Sequence, residues 1–261
     1  MPSPAPTLLD ALPAAWLADP LVCSRRSELA GARAVGDDQT LVTLTRTPEG
    51  LAVSGYGLGA GDLVARVAAA GLLDEPLLRI DLPRPAGLPE DLTRSLRLEL
   101  QPGWDWLWTR TMPPPPAVEV TALDPVADGA AIRECLADAN PDNWGQPGSP
   151  DDAGWWGVTG DGRLAGVIGA AAHPGAGADG ASWHLKGLAV RDAARGRGLG
   201  TALTAAATRD GLAAGLDWVS LGVWAANLNA IRLYHRLGFE TIHRRASWRP
   251  SDDVHTPACD G

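Results

Sequence analysis

The sequence has few cysteines, and their spacing fits neither a metal site nor a disulfide framework. Cys23, Cys135 and Cys259 are odd in number and form no CxxC pair, which favours reduced thiols. No stretch approaches the roughly 18 apolar residues of a membrane span. The first 16 residues lack a basic segment ahead of an apolar run, so no signal peptide is expected. We therefore predict a cytoplasmic protein without a bound metal.

Lysine is almost absent, and basic residues form no cluster. Lys186 is the single lysine among 22 basic residues, and the abundance of alanine, glycine and proline indicates GC-rich coding and a bacterial source. The formal net charge is −9, and both halves of the chain are acidic. Without a basic tract, neither nucleic acid nor an anionic membrane is expected as a partner. An acidic surface would suit a cationic ligand, but it also simply favours solubility.

Four consecutive prolines, at 113–116, mark the clearest boundary in the chain. A proline run supplies no backbone donors to a helix or sheet and favours a stiff extended connector. The expected organisation is an N-terminal α/β domain at 1–112, the linker, a second domain at 117–250, and a flexible tail at 251–261.

The N-terminal half reads as mixed α/β but shows no catalytic motif. Trp104, Trp106 and Trp108 alternate, which places the three indoles on one face of an extended segment. Such a stripe is either a buried sheet face, the commoner case, or a ligand platform. The predicted elements are strands at 40–45, 50–56, 77–80 and 96–100 and a helix at 62–71.

The second half has a more legible order, α-β-β-β-α-β-α-β. Asp124-Pro125 predicts a helix start, and Asn140-Pro141 predicts its end. Asp161-Gly162 is a hairpin signal. The predicted strands are 155–159, 163–172, 182–190, 217–224 and 239–248, and the later helices are 199–216 and 227–237.

A glycine-rich segment follows the strand that ends at Val190. Arg195, Gly198 and Gly200 open a long helix, whose unpaired N-terminal amides point at an anion. The segment does not match a dinucleotide-binding GxGxxG, which would need glycine where Thr201 stands. It does not match a P-loop either, because it has no Gly-Lys-Ser/Thr. The segment therefore predicts a pyrophosphate site of another type.

This Arg/Gln-x-x-Gly-x-Gly/Ala turn resembles the hallmark of the GNAT (Gcn5-related N-acetyltransferase) family. A second element about 30 residues later, running from Asn227 through Tyr234 to Phe239, is similar to the second signature of that family. The resemblance covers about residues 117–249. It implies an α/β (α+β) acyl-CoA N-acyltransferase fold with a mixed central sheet. The smaller α/β domain before it has a loosely similar element order, which raises the alternative of a degenerate GNAT-like half.

The resemblance also implies how acetyl-CoA would bind. Strands at about 182–190 and 217–224 would splay apart, and the acyl donor would enter the gap. Backbone groups of Leu188, Ala189 and Val190 would bind the pantetheine arm, and Asn227 would contact the donor. Arg195 would add a charge-assisted contact to the pyrophosphate. The backbone amides that would hold the pyrophosphate are those of Gly196, Arg197, Gly198, Leu199, Gly200 and Thr201.

Two residues are candidates for proton transfer. Tyr234 occupies the position where the family commonly has the acid that protonates the leaving thiolate; the alternative is packing. His184 matches the position of a glutamate base in histone-type relatives. It lies six residues before Val190, so the two are expected on one strand face. A structural histidine with a water relay is the alternative, and His173 is a weaker candidate.

The acceptor is expected to be a primary amine of a small molecule or peptide. Asp142, Asp151 and Asp152 could attract a cation, and Trp144 and Trp155 could supply an apolar wall, although a solvated loop explains the acids equally well. Trp155-Trp156 forms part of the expected hairpin rim. Residues 1–112 could complete this site. The chain is expected to be a monomer or homodimer. The rival functions are a non-catalytic acyl-CoA sensor and an interaction protein recruited through the N-terminal half.

Overall fold

The computed structural model describes residues 12–251 with the exception of 74 and 144. Contacts divide these residues into two compact units. Unit 1 consists of the described residues up to 103 together with those from 243 onward, and unit 2 consists of residues 104–242. Among the described residues, no helix combines the length and the apolar character needed to cross a membrane.

Unit 1 contains five short helices and a mixed sheet. The helices are α1 (Ala14–Leu17), α2 (Pro20–Ser24), α3 (Arg26–Leu29), α4 (Ala60–Ala69) and α5 (Glu90–Ser95). The strands are β1 (Arg33–Gly36), β2 (Leu41–Thr47), β3 (Gly50–Tyr56), β4 (Leu77–Pro83), β5 (Leu98–Leu100) and, from residue 243 onward, β12 (Glu240–Pro250). The strand order is β1-β2-β3-β4-β12, with β5 also paired to β12, and only β3 and β4 run parallel.

Side chains on the two faces of the unit 1 sheet differ in character because successive residues of a strand point to opposite faces. One face is apolar and packs against α4, whose Leu63, Val64 and Val67 are buried. The other face carries hydroxyl groups, among them Thr43 and Ser54, which pair directly across β2 and β3. The apolar cluster that packs against α4 thus lies on one side of the unit 1 sheet.

The strands of unit 2 are likewise of mixed direction, and the unit has three helices. Its strands are β6 (Trp104–Thr109), β7 (Thr121–Leu123), β8 (Asp152–Gly160), β9 (Arg163–Pro174), β10 (Ala181–Val190) and β11 (Trp218–Trp224). Its helices are α6 (Gly129–Ala139), α7 (Leu199–Ala213) and α8 (Leu228–Arg236), and a 3-10 turn spans Asp192–Ala194. The order is β7-β8-β9-β10-β11-β6, with only β10 and β11 parallel.

The division into units differs from the boundary expected at the four prolines. The proline run does lie outside helices and strands. However, β6 precedes it and belongs to unit 2, because its residues pair along the whole of β11. Conversely, the end of the chain that follows residue 242 pairs with β4 in unit 1. Each unit therefore draws one strand from beyond the expected boundary. The tail expected at 251–261 lies almost entirely outside the described residues.

Most predicted elements are present, but the first helix of unit 2 starts later than expected. Asp124 accepts hydrogen bonds from the amides of Val126 and Ala127, which forms a turn rather than a helix start. The helix α6 begins at Gly129. Asp161 and Gly162 have φ values of 51° and 75°, as the predicted Asp-Gly hairpin requires.

The tryptophan stripe on β6 is mostly a buried sheet face. Trp104 and Trp106 are 7% and 2% exposed. Trp108 is half-buried, and its ring meets that of Trp218 edge-on at a centroid distance of 5.7 Å. These tryptophans therefore pack within the fold, as the commoner interpretation predicts.

Candidate active site

The parallel strands β10 and β11 separate partway along their length. Their ladder runs from Ser182–Trp218 to Leu185–Leu221 and, within the described residues, ends there. Beyond this point, β10 keeps its partners on β9 but has none on β11. The resulting opening, here called the fork, leaves two strand edges available to a ligand, as the family resemblance implied.

A bulge interrupts β10 at the mouth of the fork. Lys186 pairs with Gly169 and Ala189 with Val167, so β10 has one residue more than β9 in this interval. Gly187 has a φ of 61° there, in the left-handed region that glycine adopts readily. The extra residue reverses the alternation of side chains. His184 therefore shares its face with Ala189, and the expectation that it shares a face with Val190 is wrong.

The glycine turn, residues 195–200, leads from the fork into α7. Gly196 and Gly198 have φ values of 76° and 77°, so both need glycine for backbone reasons. A Cβ at either position would meet nothing within 4 Å, which shows that the space in front of the turn is open. No side chain caps the first amides of α7. These amides and the positive end of the helix dipole form a suitable environment for an anion.

The two arginines of the turn have different surroundings. Arg195 braces the turn itself: its Nε donates to the Val190 carbonyl at 3.1 Å, and its guanidinium pairs with Asp192 at 2.9 Å. Arg197 is exposed and forms no hydrogen bond or ion pair among the described residues. Arg197 is therefore the guanidinium of the turn that is available to a ligand.

Tyr234 lies at the inner end of the fork. It is 2% exposed, and its ring packs near that of Phe239, with 5.9 Å between centroids. It lines a narrow crevice between the separating strands. The other lining residues are Ile168, Leu185, Lys186, Leu188, Leu221 and Gly222.

His184 reaches the same part of the fork from β10. It is half-buried, and its Nε2 lies 4.0 Å from the position that a Cβ of Gly222 would take. Its Nδ1 lies 3.0 Å from the Ser220 hydroxyl, which donates to the carbonyl of Trp183 at 3.2 Å. The His173 ring stands edge-on to His184, with 5.7 Å between centroids. His184 and Tyr234 are thus both close to Gly222.

Lys186 and Asp152 form a buried ion pair on the His184 face of the sheet. The Lys186 Nζ lies 2.7 Å from Asp152 and 3.7 Å from Asp151, and the lysine side chain is 1% exposed. Burial alone would raise the pKa of Asp152, but hydrogen bonds from Lys186, Trp155 and the Gly148 amide outweigh it, and the pKa is lowered. The negative charge of Asp152 is therefore already balanced by Lys186 within the protein.

This arrangement changes the expectations for the acceptor loop. Asp152 is engaged by Lys186, while Asp142 and Asp151 remain exposed. Trp155 is 1% exposed and packs beneath α6, so it is not a rim wall. Its neighbour Trp156 points to the opposite face and packs beside Trp183. Strand alternation in β8 buries both indoles. Trp144 lies outside the described residues.

Two further residues hold the fork in place, and sequence reasoning did not identify them. Asn140 donates from its side chain to the Leu188 carbonyl at 3.3 Å, which ties the end of α6 to the bulge. Arg191, 5% exposed, bridges the loop after β10 to Glu134 and Asp138 on α6. The two acids are four residues apart and therefore lie on one face of the helix. This spacing is the sequence feature that could have indicated a shared basic partner.

Asn227 is exposed at the start of α8 and caps that helix. Its side-chain oxygen accepts a hydrogen bond from the Ala230 amide at 3.1 Å. An Asn at this position satisfies one of the otherwise unpaired amides of the first turn. The cap uses only the side-chain oxygen of Asn227 and does not involve its NH₂ group.

Comparisons with known proteins agree with this geometry. Residues 126–239 match the family model described as the acetyltransferase (GNAT) family. A GNAT-family protein from Novosphingobium aromaticivorans is 21% identical, with a TM-score of 0.54, and the match covers 90% of this chain and 99% of that one. The GCN5-related N-acetyltransferase from Sphaerobacter thermophilus is 17% identical, with a TM-score of 0.52 and coverage of 98% and 97%. No curated protein matches the chain significantly.

At these identities the structural likeness shows the fold alone. The matches extend over most of the chain, so the likeness of fold includes residues of unit 1 as well. The mixed α/β fold and the family resemblance expected from the sequence are both confirmed. The general reaction of this family is acetyl transfer from acetyl-CoA. Residues 126–239 are therefore similar to the acetyltransferase (GNAT) family, within a fold that the solved GNAT structures share.

Proposed function

We propose that the protein is an acetyl-CoA-dependent N-acetyltransferase that acetylates a primary amine of a small molecule or peptide. The amine attacks the thioester directly in a ternary complex, without an acyl-enzyme. The observation that carries the proposal is the juxtaposition of the fork with the open glycine turn, since one extended thioester with a pyrophosphate would occupy both. Acetyl-CoA supplies the activated acyl group.

The donor-binding roles follow from the groups that the fork leaves available. The carbonyls of Leu188 and Val190 each already accept one hydrogen bond and retain a second lone pair for the pantetheine amides. The amides from Gly196 to Thr201 would receive the pyrophosphate, with Arg197 as the charged partner. Arg195 contributes indirectly by fixing the turn.

The hydrogen bonds of His184 suit it to act as the base that deprotonates the amine. Ser220 has one hydroxyl proton and donates it to the Trp183 carbonyl, so it can only accept from His184. Neutral His184 must then carry its proton on Nδ1, which leaves the lone pair on Nε2. That atom lies 4.0 Å from the position of a Cβ on Gly222, and Gly222 also lines the crevice that contains Tyr234. An amine held there could transfer its proton to His184.

Tyr234 is positioned to protonate the departing thiolate. Its ring is held by α8 and by Phe239, and it lines the crevice into which the thioester would extend. A buried phenol offers one O–H donor at neutral pH. The acid and the base thus come from different elements, α8 and β10, on either side of the fork.

A thermal-shift experiment on the full chain tests the donor site with two matched glycine variants. Gly198 and Gly162 have φ values of 77° and 75°, and a Cβ at either would meet nothing within 4 Å. Gly198→Asp and Gly162→Asp should therefore strain the backbone equally. Acetyl-CoA at about 100 times its Kd should stabilise the wild type by about 2.7 kcal/mol. The Gly162→Asp variant should keep this gain, and Gly198→Asp should lose it.

Release of free CoA with a panel of amines then tests turnover. The panel should span aminoglycosides, polyamines, amino acids and peptide N-termini. Acetyl-CoA stabilisation without amine-dependent CoA release would favour a non-catalytic sensor. Absence of any stabilisation of the wild type by acetyl-CoA would reject the donor site itself.

A further inference from the structure

Unit 1 contains a cavity on the sheet face opposite to α4. Its volume is about 370 Å³, and residues at the α2–α3 junction enclose it from one side. The polar lining comes from alternate positions of β2 and β3, because Thr43 and Thr45 pair with Ser54 and Ala52 across the two strands. A cavity lined by hydroxyl groups suits a polar ligand.

One buried hydroxyl in this cavity has no acceptor for its proton. Tyr56 is 1% exposed, and no group of the described residues accepts a hydrogen bond from its Oη, while the Arg25 guanidinium acts on the phenol oxygen through its charge and as a side-chain donor. The ring cannot easily turn away, since the Arg245 guanidinium lies over it at 5.1 Å and donates to the Gly55 and Asp81 carbonyls. A buried hydroxyl that lacks an acceptor destabilises the folded protein. A ligand acceptor would remove this cost.

Arg25 supplies a positive charge that the protein does not neutralise by direct pairing. Its guanidinium donates to Ser54 Oγ at 3.3 Å and forms no ion pair among the described residues. The other two arginines that line the cavity differ in this respect: Arg79 pairs with Asp81, and Arg46 pairs with Glu75. Most of the five N–H donors of Arg25 thus remain for a ligand.

Acidic groups near the cavity do not cancel this charge. Asp81 is held by Arg79 and the Ser247 hydroxyl. Glu28 lines the cavity and is exposed to solvent, and it acts on Arg25 at longer range than an ion pair. The cavity therefore offers one unpaired guanidinium beside a donor phenol, within a protein whose formal net charge is −9.

We propose that this cavity is an oxyanion-binding site for a small molecule that carries a carboxylate or a phosphate group. Arg25 binds the oxyanion through two N–H groups, and the Tyr56 hydroxyl donates a third hydrogen bond. The threonine and serine hydroxyls contact the polar remainder of the ligand. The site lies wholly within unit 1 and does not depend on the proposed acetyl transfer.

The test measures the melting temperature of the full chain with two probes, sodium succinate and sodium phosphate, against sodium chloride at equal ionic strength. Each variant is compared with the wild type, and Arg94→Gln, on the exposed part of α5, is the matched arginine control. At least one probe should raise the wild-type melting temperature beyond the chloride value. Arg25→Gln should abolish this shift, Tyr56→Phe should weaken binding at least tenfold, and Arg94→Gln should preserve it.

Which probe acts distinguishes the carboxylate from the phosphate source. Tyr56→Phe keeps the ring and removes only the hydroxyl that lacks an acceptor, so it decides the matter if Arg25→Gln fails to fold. A wild type that responds to neither probe beyond chloride overturns the proposal. So does a shift that survives in both variants but disappears in Gly198→Asp, because that result places the oxyanion in unit 2.

Discussion

At the residue scale, Ser220 acts on the proposed base without touching a substrate. In the proposed mechanism its hydroxyl, 3.0 Å from Nδ1 of His184, selects the tautomer of that ring, and nothing in the sequence singles Ser220 out. Ser220→Ala should lower kcat/KM by up to about tenfold, since one hydrogen bond contributes about 0.5–1.5 kcal/mol. Ser182→Ala is the control, because Ser182 is equally buried and bonds to Pro174 instead.

Two measurements separate this positioning effect from general damage. Ring nitrogen chemical shifts of His184 should report the Nδ1–H tautomer in the wild type and a mixture in Ser220→Ala. His184→Ala should remove an ionisation near neutrality from the pH profile of kcat/KM and be partly rescued at high pH. A wild type with the opposite tautomer would contradict the proposed base.

Tyr234→Phe removes one hydroxyl and keeps the packing against Phe239. If the phenol protonates the thiolate, kcat should fall by roughly 10²–10⁴ with acetyl-CoA binding unchanged. The loss should shrink with donors that have less basic thiol leaving groups, as steady-state kinetics would show. Full kcat in a chemistry-limited assay would assign Tyr234 to packing alone.

Asp81 makes the stability of unit 1 depend on pH. Burial alone would raise its pKa, but Arg79, Arg245, Arg25 and the Ser247 hydroxyl outweigh burial and lower it. Its stabilising effect is therefore complete above the ordinary aspartate pKa of about 3.9 and is lost as the pH falls through the lower folded value. In urea unfolding, the stability difference between wild type and Asp81→Asn should shrink below about pH 4.

The control for this measurement is Asp62→Asn, which changes an exposed acid on α4. Its stability difference from the wild type should be small throughout the range. A difference for Asp81→Asn that stays constant down to pH 2 would mean that the Asp81 carboxylate is not the titrating group.

At the scale of the element, β10 shows where sequence patterns lead to a wrong inference. Its strand boundaries could be predicted from its apolar pattern, but the bulge at Gly187 could not be placed by counting residues. An isolated glycine inside a strand does indicate a bulge. An inserted residue moves every later side chain of the strand to the opposite face. The prediction that Val190 shares a face with His184 was therefore wrong, although the strand itself was predicted correctly.

Substitutions can separate two roles of Asn227, which are capping of α8 and contact with acetyl-CoA. Asn227→Ala removes the cap of α8 and should cost about 1 kcal/mol in urea unfolding, whereas Asn227→Asp should retain it. If the side-chain NH₂ also contacts acetyl-CoA, both variants should bind the donor more weakly. Unchanged donor affinity in both would leave capping as the only role.

At the scale of the whole molecule, the proline run suggests where to cut the chain, and the structure shows why that cut is unfavourable. A fragment of residues 117–250 loses β6, which pairs along β11 and contributes the fully buried Leu107 to the core of unit 2. A fragment of residues 104–250 keeps it. The longer fragment should be more soluble and melt at a higher temperature, because losing one such core side chain alone costs about 2–5 kcal/mol.

Circular dichroism melting and the soluble fraction after expression check this prediction. Equal melting temperatures would show that β6 adds nothing to unit 2. The sequence could supply the elements and the glycine turn because both are encoded locally. Pairings between distant segments, such as β6 with β11 or β4 with the end of the chain, have no local signature and appeared only in the structure.

The burial of Lys186 also affects the chemistry of the chain itself. A protein that holds an activated thioester exposes its own amines to acetylation, and lysine side chains are the usual targets of that reaction. Here the side chain of the single lysine is 1% exposed, and its Nζ lies 2.7 Å from Asp152, so the amine is buried in an ion pair and out of reach of a bound thioester. In the proposed reaction Lys186 is therefore shielded from self-acetylation, and CoA that acetyl-CoA releases only when an amine is added reports transfer to that amine rather than to Lys186.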